Sequence, residues 1–269
     1  MSFDASQQAG VLGNAFDAQP ALPRGVHGWM STRSGGVSHA PWDSLNLGDH
    51  VGDKPEAVAA NRQRLQQALG ARPVFLRQVH GTAVLELHSD TVGGEADACF
   101  TFAPGVACTV QVADCLPVLL WDRQGQWVAA AHAGWRGLAG QGGVGVLEAV
   151  WQALTARGAV AAQTGVWLGP CIGPSAFEVG PEVRAALAEH ADAAAVKVAF
   201  QPGQGDRWLA NLPALARQRL QALGLGEAQG NDGSAPWCTV GAVGRFFSHR
   251  RDAVRLGSSG RMAACIWRD

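Results

Sequence analysis

The chain has 269 residues, with 21 basic against 22 acidic side chains and 47% apolar against 16% charged residues. That length supports a substantial core in one large domain or two small ones, and the composition is neither disordered nor highly charged. No long basic block stands out, and Gly, Pro or a charge interrupts each apolar stretch well short of the roughly 20 residues of a membrane span, so neither nucleic acid nor membrane is implied as a partner. Residues 1–10 carry acid and glutamine rather than a basic patch and an apolar run, unlike a signal peptide, so a cytoplasmic location is expected. The six cysteines are scattered with no C-x-x-C pair, which in a reducing compartment suits buried thiols, metal ligands or nucleophiles better than disulfides. The chain has no tyrosine, which removes one type of general acid.

In chain order, residues 1–22 have no period and read as a flexible arm, with the domain spanning 23–269. A strand is expected at 25–30, then a turn at 31–37 whose Gly35-Gly36 pair lets backbone approach a ligand. Leu45-Asn46-Leu47-Gly48 is another tight segment. Residues 55–69 fit a helix, with Pro55 in the first turn and Val58, Arg62, Leu65 and Leu69 near one face. Strands follow at 74–79, ending at His80, and at 83–88. Apolar runs at 106–112 and 117–121 flank Ala113-Asp114-Cys115, and a third at 127–131 ends at His132. A helix is expected at 145–156 with Val146, Val150 and Leu154 on one face, then a short buried segment at 166–168 and a Gly/Pro turn at 169–174. Helices at 181–191 and 212–223, a loop at 224–235, and closing strands at 238–243 (with Phe246 and Phe247) and 262–267 complete the reading. Strands outnumber interspersed helices, which predicts a single α+β domain with mixed sheets.

Three segments place a metal-type ligand beside tight-turn residues: Gln78-Val79-His80-Gly81, Asp114-Cys115-Leu116-Pro117 and His132-Ala133-Gly134-Trp135-Arg136-Gly137. Two imidazoles and a thiolate suit Zn²⁺ or copper, and three protein ligands leave a position open for chemistry. Each residue taken alone also has a structural reading, since no sequence spacing brings His80, Cys115 and His132 together. Asp114 can accept an imidazole N–H, act as acid or base near a metal, or accept backbone N–H groups in a turn. Arg136, in a glycine-rich turn, suits a phosphate or carboxylate, or an ion pair. Arg33 admits the same two readings. Cys171 can be a nucleophile with a histidine base, a fourth ligand, or core packing. The cluster Arg245, His249, Arg250 and Arg251 reads as an anion site or a solvated run.

These strings, together with Ser31-Thr32-Arg33, Ser44-Leu45-Asn46-Leu47-Gly48, Gly169-Pro170-Cys171-Ile172-Gly173, Phe246-Phe247-Ser248-His249-Arg250-Arg251 and Gly260-Arg261-Met262-Ala263, run in the order of the YfiH-type family. The chain resembles that family, also called the laccase-domain or polyphenol oxidase family, which includes purine nucleoside phosphorylases and the peptidoglycan editing factor. The resemblance covers nearly everything beyond the N-terminal arm. It implies a single CNF/YfiH-like α+β domain, similar to bacterial toxins with a Cys–His site. It also implies His80, Cys115 and His132 as metal ligands, with zinc the usual occupant and copper in some members. One departure is visible, because family members commonly carry Tyr after Phe-Phe-Ser and this chain carries His249.

The activities the resemblance implies are phosphorolysis of adenosine, inosine, guanosine and methylthioadenosine, and deamination of adenosine, with a purine nucleoside and phosphate as small-molecule partners. In this reading Asp114, Arg136 and Cys171 are the catalytic candidates, and Arg33, Asn46, Gln78, Arg250 and Arg251 face substrate. Arg136, Arg33 or the Arg250/Arg251 pair would hold phosphate, and the metal or Asn46 would stabilise the leaving base. Asp114 is the carboxylate available for deamination. The alternatives are a copper polyphenol oxidase, disfavoured because no His-x-His pair is present, a cell-wall precursor hydrolase using a Cys/His pair, and a closed structural zinc site including Cys171.

Overall fold

The computed structural model describes Leu12, Asn14, residues 22–189 and residues 193–269. The chain enters through β1 (Val26–Met30) and crosses to helix α1 (Pro55–Leu69). Pro55 starts that helix and Gly70, at φ 65°, stops it in the left-handed conformation that glycine adopts without a Cβ penalty. Strands β2 (Arg72–Phe75), β3 (Val84–Leu87), β4 (Ala98–Thr101), β5 (Val106–Val112), β6 (Leu116–Asp122) and β7 (Val128–Ala133) follow. Every residue of β4 to β7 is buried, which is why these strands read as continuous apolar runs rather than alternating ones. After them come α2 (Trp135–Ala139), α3 (Val146–Thr155), β8 (Thr164–Leu168), β9 (Glu178–Val179), α4 (Pro181–Ala188) and α5 (Ala193–Ala199). The C-terminal part holds β10 (Phe200–Pro202), β11 (Trp208–Ala210), α6 (Leu212–Ala222), β12 (Gln229–Gly230), α7 (His249–Leu256) and β13 (Met262–Arg268).

The strands form a four-stranded sheet in the order β1-β13-β5-β2, a six-stranded sheet in the order β12-β8-β6-β7-β4-β3, and a small sheet β10-β11-β9. Both larger sheets mix parallel and antiparallel pairs, giving the α+β single-domain architecture the pattern predicts. The two larger sheets face one another across a core of Cys108, Val110 and Val112 from β5 against Leu119, Trp121, Val128 and Ala130. The alternate residues Leu116, Val118, Leu120, Ala129 and Ala131 face the helices, where Leu147, Val150, Leu154 and Leu220 cover them. On the far side of the four-stranded sheet, Leu65 and Leu69 of α1 pack on Trp29 and Cys265 with Leu45 and Leu47. Each fully buried leucine or valine in these layers contributes roughly 1.5–3 kcal/mol, so the sandwich is a rigid frame for whatever its rim carries.

Several elements differ from the sequence expectation. The strand expected at 74–79 runs instead from Arg72 to Phe75, pairing with Val106 to Thr109. Its expected end leaves the sheet because the amides of Val79, His80 and Gly81 bond to a carboxylate rather than to a neighbouring strand. β4 and α2 are additional elements in segments of small residues whose apolar period is weak. The segment 238–243 forms turns rather than a strand, held by one bridge between Cys171 and Cys238, while Phe246 and Phe247 are core residues on irregular backbone. His249, Arg250 and Arg251 of the basic cluster open α7, whose first turn is capped by Ser248 accepting from the Arg251 amide and whose end is set by Gly257 at φ 81°. The helix expected at 181–191 ends at Ala188, and Ala191 lies outside the described residues. Of the N-terminal arm, Leu12 is buried against the α1 layer and Asn14 bridges to Ser31, accepting from the Met30 amide. The rest of 1–21 lies outside the described residues.

Between the sheets the fit is tight enough to test. Gly165 of β8 sits opposite Trp121, and a Cβ there would fall within van der Waals overlap of the indole. Gly165→Ala is expected to destabilise the protein by about 1–3 kcal/mol, the usual cost of overpacking, read as a lower denaturant midpoint with unchanged slope.

Candidate metal centre

Sheet register delivers the three ligands to one rim. β2 and β5 run parallel, so the loop after β2, which carries His80, and the turn after β5, which carries Asp114 and Cys115, leave the sandwich at the same end. β6 and β7 pair antiparallel with Leu116 opposite Ala133 and Pro117 opposite His132, which brings the start of β6 beside the end of β7. One step further along this register sets Cys115 opposite Gly134. A Cβ on Gly134 would lie 3.0 Å from the Cys115 sulfur and 3.1 Å from His80 Cδ2, so this position suits glycine. His80 (φ 61°) and Asp114 (φ 85°) are the non-glycine residues with positive φ among the described residues, a conformation costly unless the surroundings fix it.

What fixes His80 is Asp97. In the β4–β7 ladder Ala98 pairs with Ala131, so Asp97 falls opposite His132 and accepts the His132 amide on its own carbonyl at 2.7 Å. Its fully buried carboxylate accepts from His132 Nδ1 at 2.8 Å and from the amides of Val79 (3.1 Å), His80 (2.9 Å) and Gly81 (2.7 Å). Burial pushes this carboxyl up, but the bonds from His132 and Gly81 outweigh it and hold it below the usual carboxylate range. With Nδ1 committed to Asp97, His132 turns Nε2 toward the cavity, the arrangement by which outer carboxylates orient metal-binding imidazoles.

One donor atom from each of His80, Cys115 and His132 lies within 4.8 Å of the others, with Cys115 Sγ 3.8 Å from His80 Nε2. The two imidazoles meet edge to face at 4.8 Å between ring centres. A tetrahedral zinc ion with bonds of ~2.3 Å to sulfur and ~2.0–2.1 Å to nitrogen holds such donors roughly 3.3–3.6 Å apart, so small side-chain adjustments close the triad on an ion. The donor chemistry fits as well. Burial pushes the Cys115 thiol up, yet His132 and His80 overcome it and bring it down to about 6. Burial pushes His132 down, yet Cys115 and Asp97 raise it to about 9. The site stabilises a thiolate, the form in which cysteine binds metal.

The triad lies at a cavity of about 420 Å³, within the size range of small-molecule sites. Trp135, Ile172, Phe177 and Leu212 give it apolar walls, and His50, Gln78, Gln111, Asp114, His249, Arg250 and Arg261 give it polar ones. Gln78 is locked to the Gln111 backbone through both ends of its amide. Asp114 spends one oxygen on the Thr239 hydroxyl and the other on the Arg250 amide at 2.6 Å, so it anchors the first turn of α7, while the acceptor of the imidazole N–H is Asp97. The Arg250 side chain reaches the carbonyls of Ala176 and Glu178. Arg136 is exposed and stacks on Trp135, 4.4 Å from the ring centre.

Four expected site residues stand elsewhere. Arg33 bonds to Asp43 and the Val243 carbonyl over the Phe247 ring. Asn46 ties Gly48, Asp53 and Arg261 together in the interior. Arg251 pairs with Asp252 and serves three loop carbonyls. Cys171 is fully buried away from the cavity lining and takes a bond from Asn231; burial pushes its thiol well above the ordinary value, a poor setting for a nucleophile or a fourth ligand. Sequence reasoning missed Asp97, His50, Gln111 and Arg261. Asp97 left one trace, a carboxylate between alanines at the start of an apolar strand, since an acid buried there requires partners.

The family described as multi-copper polyphenol oxidoreductase laccase matches residues 27–269. The chain is 49% identical over 247 residues to a Pseudomonas aeruginosa protein named purine nucleoside phosphorylase, covering 91% of this chain and 94% of that one. It is 47% identical over 249 residues to the Escherichia coli protein named purine nucleoside phosphorylase YfiH, covering 91% and 95%. Its fold is similar to the crystal structure of a Neisseria meningitidis protein with a TM-score of 0.83 at 40% identity, covering 96% and 99%, and to that of Bacillus licheniformis YfiH with a TM-score of 0.81 at 27% identity, covering 91% and 93%.

Asp97→Asn keeps the shape but exchanges an acceptor for a neutral amide. Its zinc affinity, measured by chelator competition, is expected to fall ~10–100-fold, the usual loss when the outer partner of a metal-binding histidine is changed. An affinity equal to wild type would show that Asp97 does not organise the ligands.

Proposed function

The chain belongs to the multi-copper polyphenol oxidoreductase laccase family, and we propose that it acts as a zinc-dependent purine nucleoside phosphorylase in the cytoplasm. The observation that carries this reading is the ligand triad opening onto a cavity lined by both aromatic and cationic side chains. A purine has two flat apolar faces and a polar edge. Trp135, Phe177, Ile172 and Leu212 offer contact for the faces. The Gln111 carboxamide, whose Oε1 has no partner among the described residues, offers an amide for the edge. The names of the P. aeruginosa and E. coli relatives point to the same substrate class.

His80, Cys115 and His132 would hold the ion, with Cys115 as thiolate and both imidazoles neutral. Zinc, when bound, supplies a Lewis acid for charge that develops on a purine nitrogen or an oxygen. The protein's own part is positioning: Asp97 fixes the His132 ring and the His80 loop, and Asp114 draws the first turn of α7, with His249 and Arg250, to the cavity rim. In phosphorolysis a phosphate oxygen bonds to the ribose C1′ as the bond to the purine nitrogen breaks. The electron pair leaves with the purine, which gains the proton the phosphate gives up. Adenosine deamination uses the same cavity and ligands, and inosine and methylthioadenosine are candidates for the same pocket. Zinc is preferred to copper because a mononuclear site without His-x-His pairs is poorly built for dioxygen reduction.

The reading is tested with adenosine, with and without inorganic phosphate, on protein of measured metal content. Adenine formed only with phosphate present is the expected result, and inosine formed in both cases would report the deaminase branch. His132→Ala is expected to lose metal and to lower kcat/KM for adenosine by more than ~100-fold, beyond the ~10–100-fold effect of outer partners. Full turnover by metal-free His132→Ala, or no purine product from the wild type, would overturn the reading.

A further inference from the structure

The resemblance gave several arginines as candidates to hold phosphate, and the structure commits most of them to other work. Arg33 and Arg251 are paired with Asp43 and Asp252, Arg250 is spent on the carbonyls of Ala176 and Glu178, and Arg136 lies on the exposed face of Trp135. Arg261 is different. Its Nη1 donates to the Ser259 carbonyl at 2.9 Å and the Gly260 carbonyl at 3.3 Å. Its Nε and Nη2 have no acceptor, and no carboxylate pairs with it, among the described residues.

This guanidinium is also held in place. The Asn46 side chain accepts the Arg261 amide at 2.9 Å and the Gly48 amide at 2.9 Å, locking two distant segments together. The Arg261 stem lies on Gly48, where a Cβ would come within 2.7 Å of Arg261 Cγ. Burial makes the charge costly and lowers the Arg261 pKa, an effect that the negative charges of Cys115 and Asp114 only oppose. A half-buried cation that is held in place and short of acceptors is a site suited to an anion, and a planar fork with two free edges matches phosphate oxygens.

Two imidazoles, His50 and His249, line the cavity with it, and burial followed by the Arg261 charge keeps both below the ordinary histidine value. A neutral imidazole donates one N–H and adds no charge to be desolvated; in His50 that N–H faces Asp49 Oδ1 at 3.4 Å, so His249 is the ring with an N–H to offer. Asp114 is the opposing carboxylate in the lining, and both of its oxygens already accept bonds from the protein. This arrangement also gives meaning to His249 at the position where Phe-Phe-Ser is followed by an imidazole rather than a phenol.

We propose that Arg261, flanked by His50 and His249, binds the phosphate co-substrate beside the metal ligands. The proposal rests on the phosphorolysis reading for its ligand. It gives that ligand a place in the same cavity that offers apolar contact to the purine.

The test is a phosphate titration of the metal-loaded enzyme at saturating adenosine. Arg261→Gln is expected to raise KM for phosphate by at least ~10-fold, as for loss of charge-assisted hydrogen bonds. KM for adenosine, metal content and melting temperature should stay near wild type, with Arg261→Lys intermediate. An unchanged KM for phosphate in a folded Arg261→Gln enzyme would overturn the proposal. If that variant does not fold, His249→Gln carries the same test, since its ring makes no bond to backbone among the described residues. If the wild type shows no phosphate-dependent cleavage, the functional reading fails first. Calorimetric titration with inorganic phosphate then decides the site: binding to wild type that Arg261→Gln abolishes supports an anion site, and equal or absent binding overturns it.

Discussion

A single carboxylate with no solvent exposure holds the site of this protein together. Asp97 is desolvated, which by itself would cost several kcal/mol for an ionised acid. It is paid back by three backbone amides and one imidazole, each donating to a charged acceptor. Those four bonds link a loop in a left-handed turn, the start of β4 in the six-stranded sheet and the His132 ring. Removing any one leaves the others aimed at a buried charge, so the arrangement is cooperative. The positive φ of His80, the tautomer of His132 and the approach of Cys115 all follow from where this carboxylate stands.

The frame behind it makes that position reproducible. Two sheets packed face to face fix the β2–β5 and β6–β7 registers, and those registers put the exits carrying His80, Cys115 and His132 on one rim. Gly134 removes the Cβ that would separate the thiolate from the imidazoles. The outcome is a thiolate stabilised by neighbouring imidazoles in the lining of a cavity that also carries apolar and cationic side chains. A lining with both kinds of group suits a substrate with a flat heterocycle and an anionic partner, and it is why nucleoside chemistry is favoured over oxidation or thiol hydrolysis.

Much of this was legible in the amino-acid sequence, and the failures have physical causes. The α1 helix was readable from Pro55 to Gly70 because a proline start, a periodic face and a glycine stop all agree. His80, Cys115 and His132 were visible as strand-end ligands beside turn residues, although their meeting depends on registers no local pattern encodes. Asp97 left only the trace of an acid between alanines for the same reason: it matters because the β4–β7 ladder sets it opposite His132. Arg261 and His50 lie far apart in the chain and meet through Asn46 and the sheet end, whereas Arg33, next to a conspicuous glycine pair, turned out to brace Asp43 and Val243. The segment 238–243 carries strand-like residues but folds as turns, joined at Cys238 to Cys171 by one bridge.

The claim on which everything else depends is that Asp97 builds a two-imidazole, one-thiolate metal site. X-ray absorption at the metal edge of protein purified without added metal tests it most directly. The account predicts one sulfur at ~2.3 Å and two nitrogens at ~2.0–2.1 Å, with the sulfur shell retained but disordered when Asp97 is replaced by Asn. A shell of oxygens without sulfur, or one unchanged by His132→Ala, would contradict it.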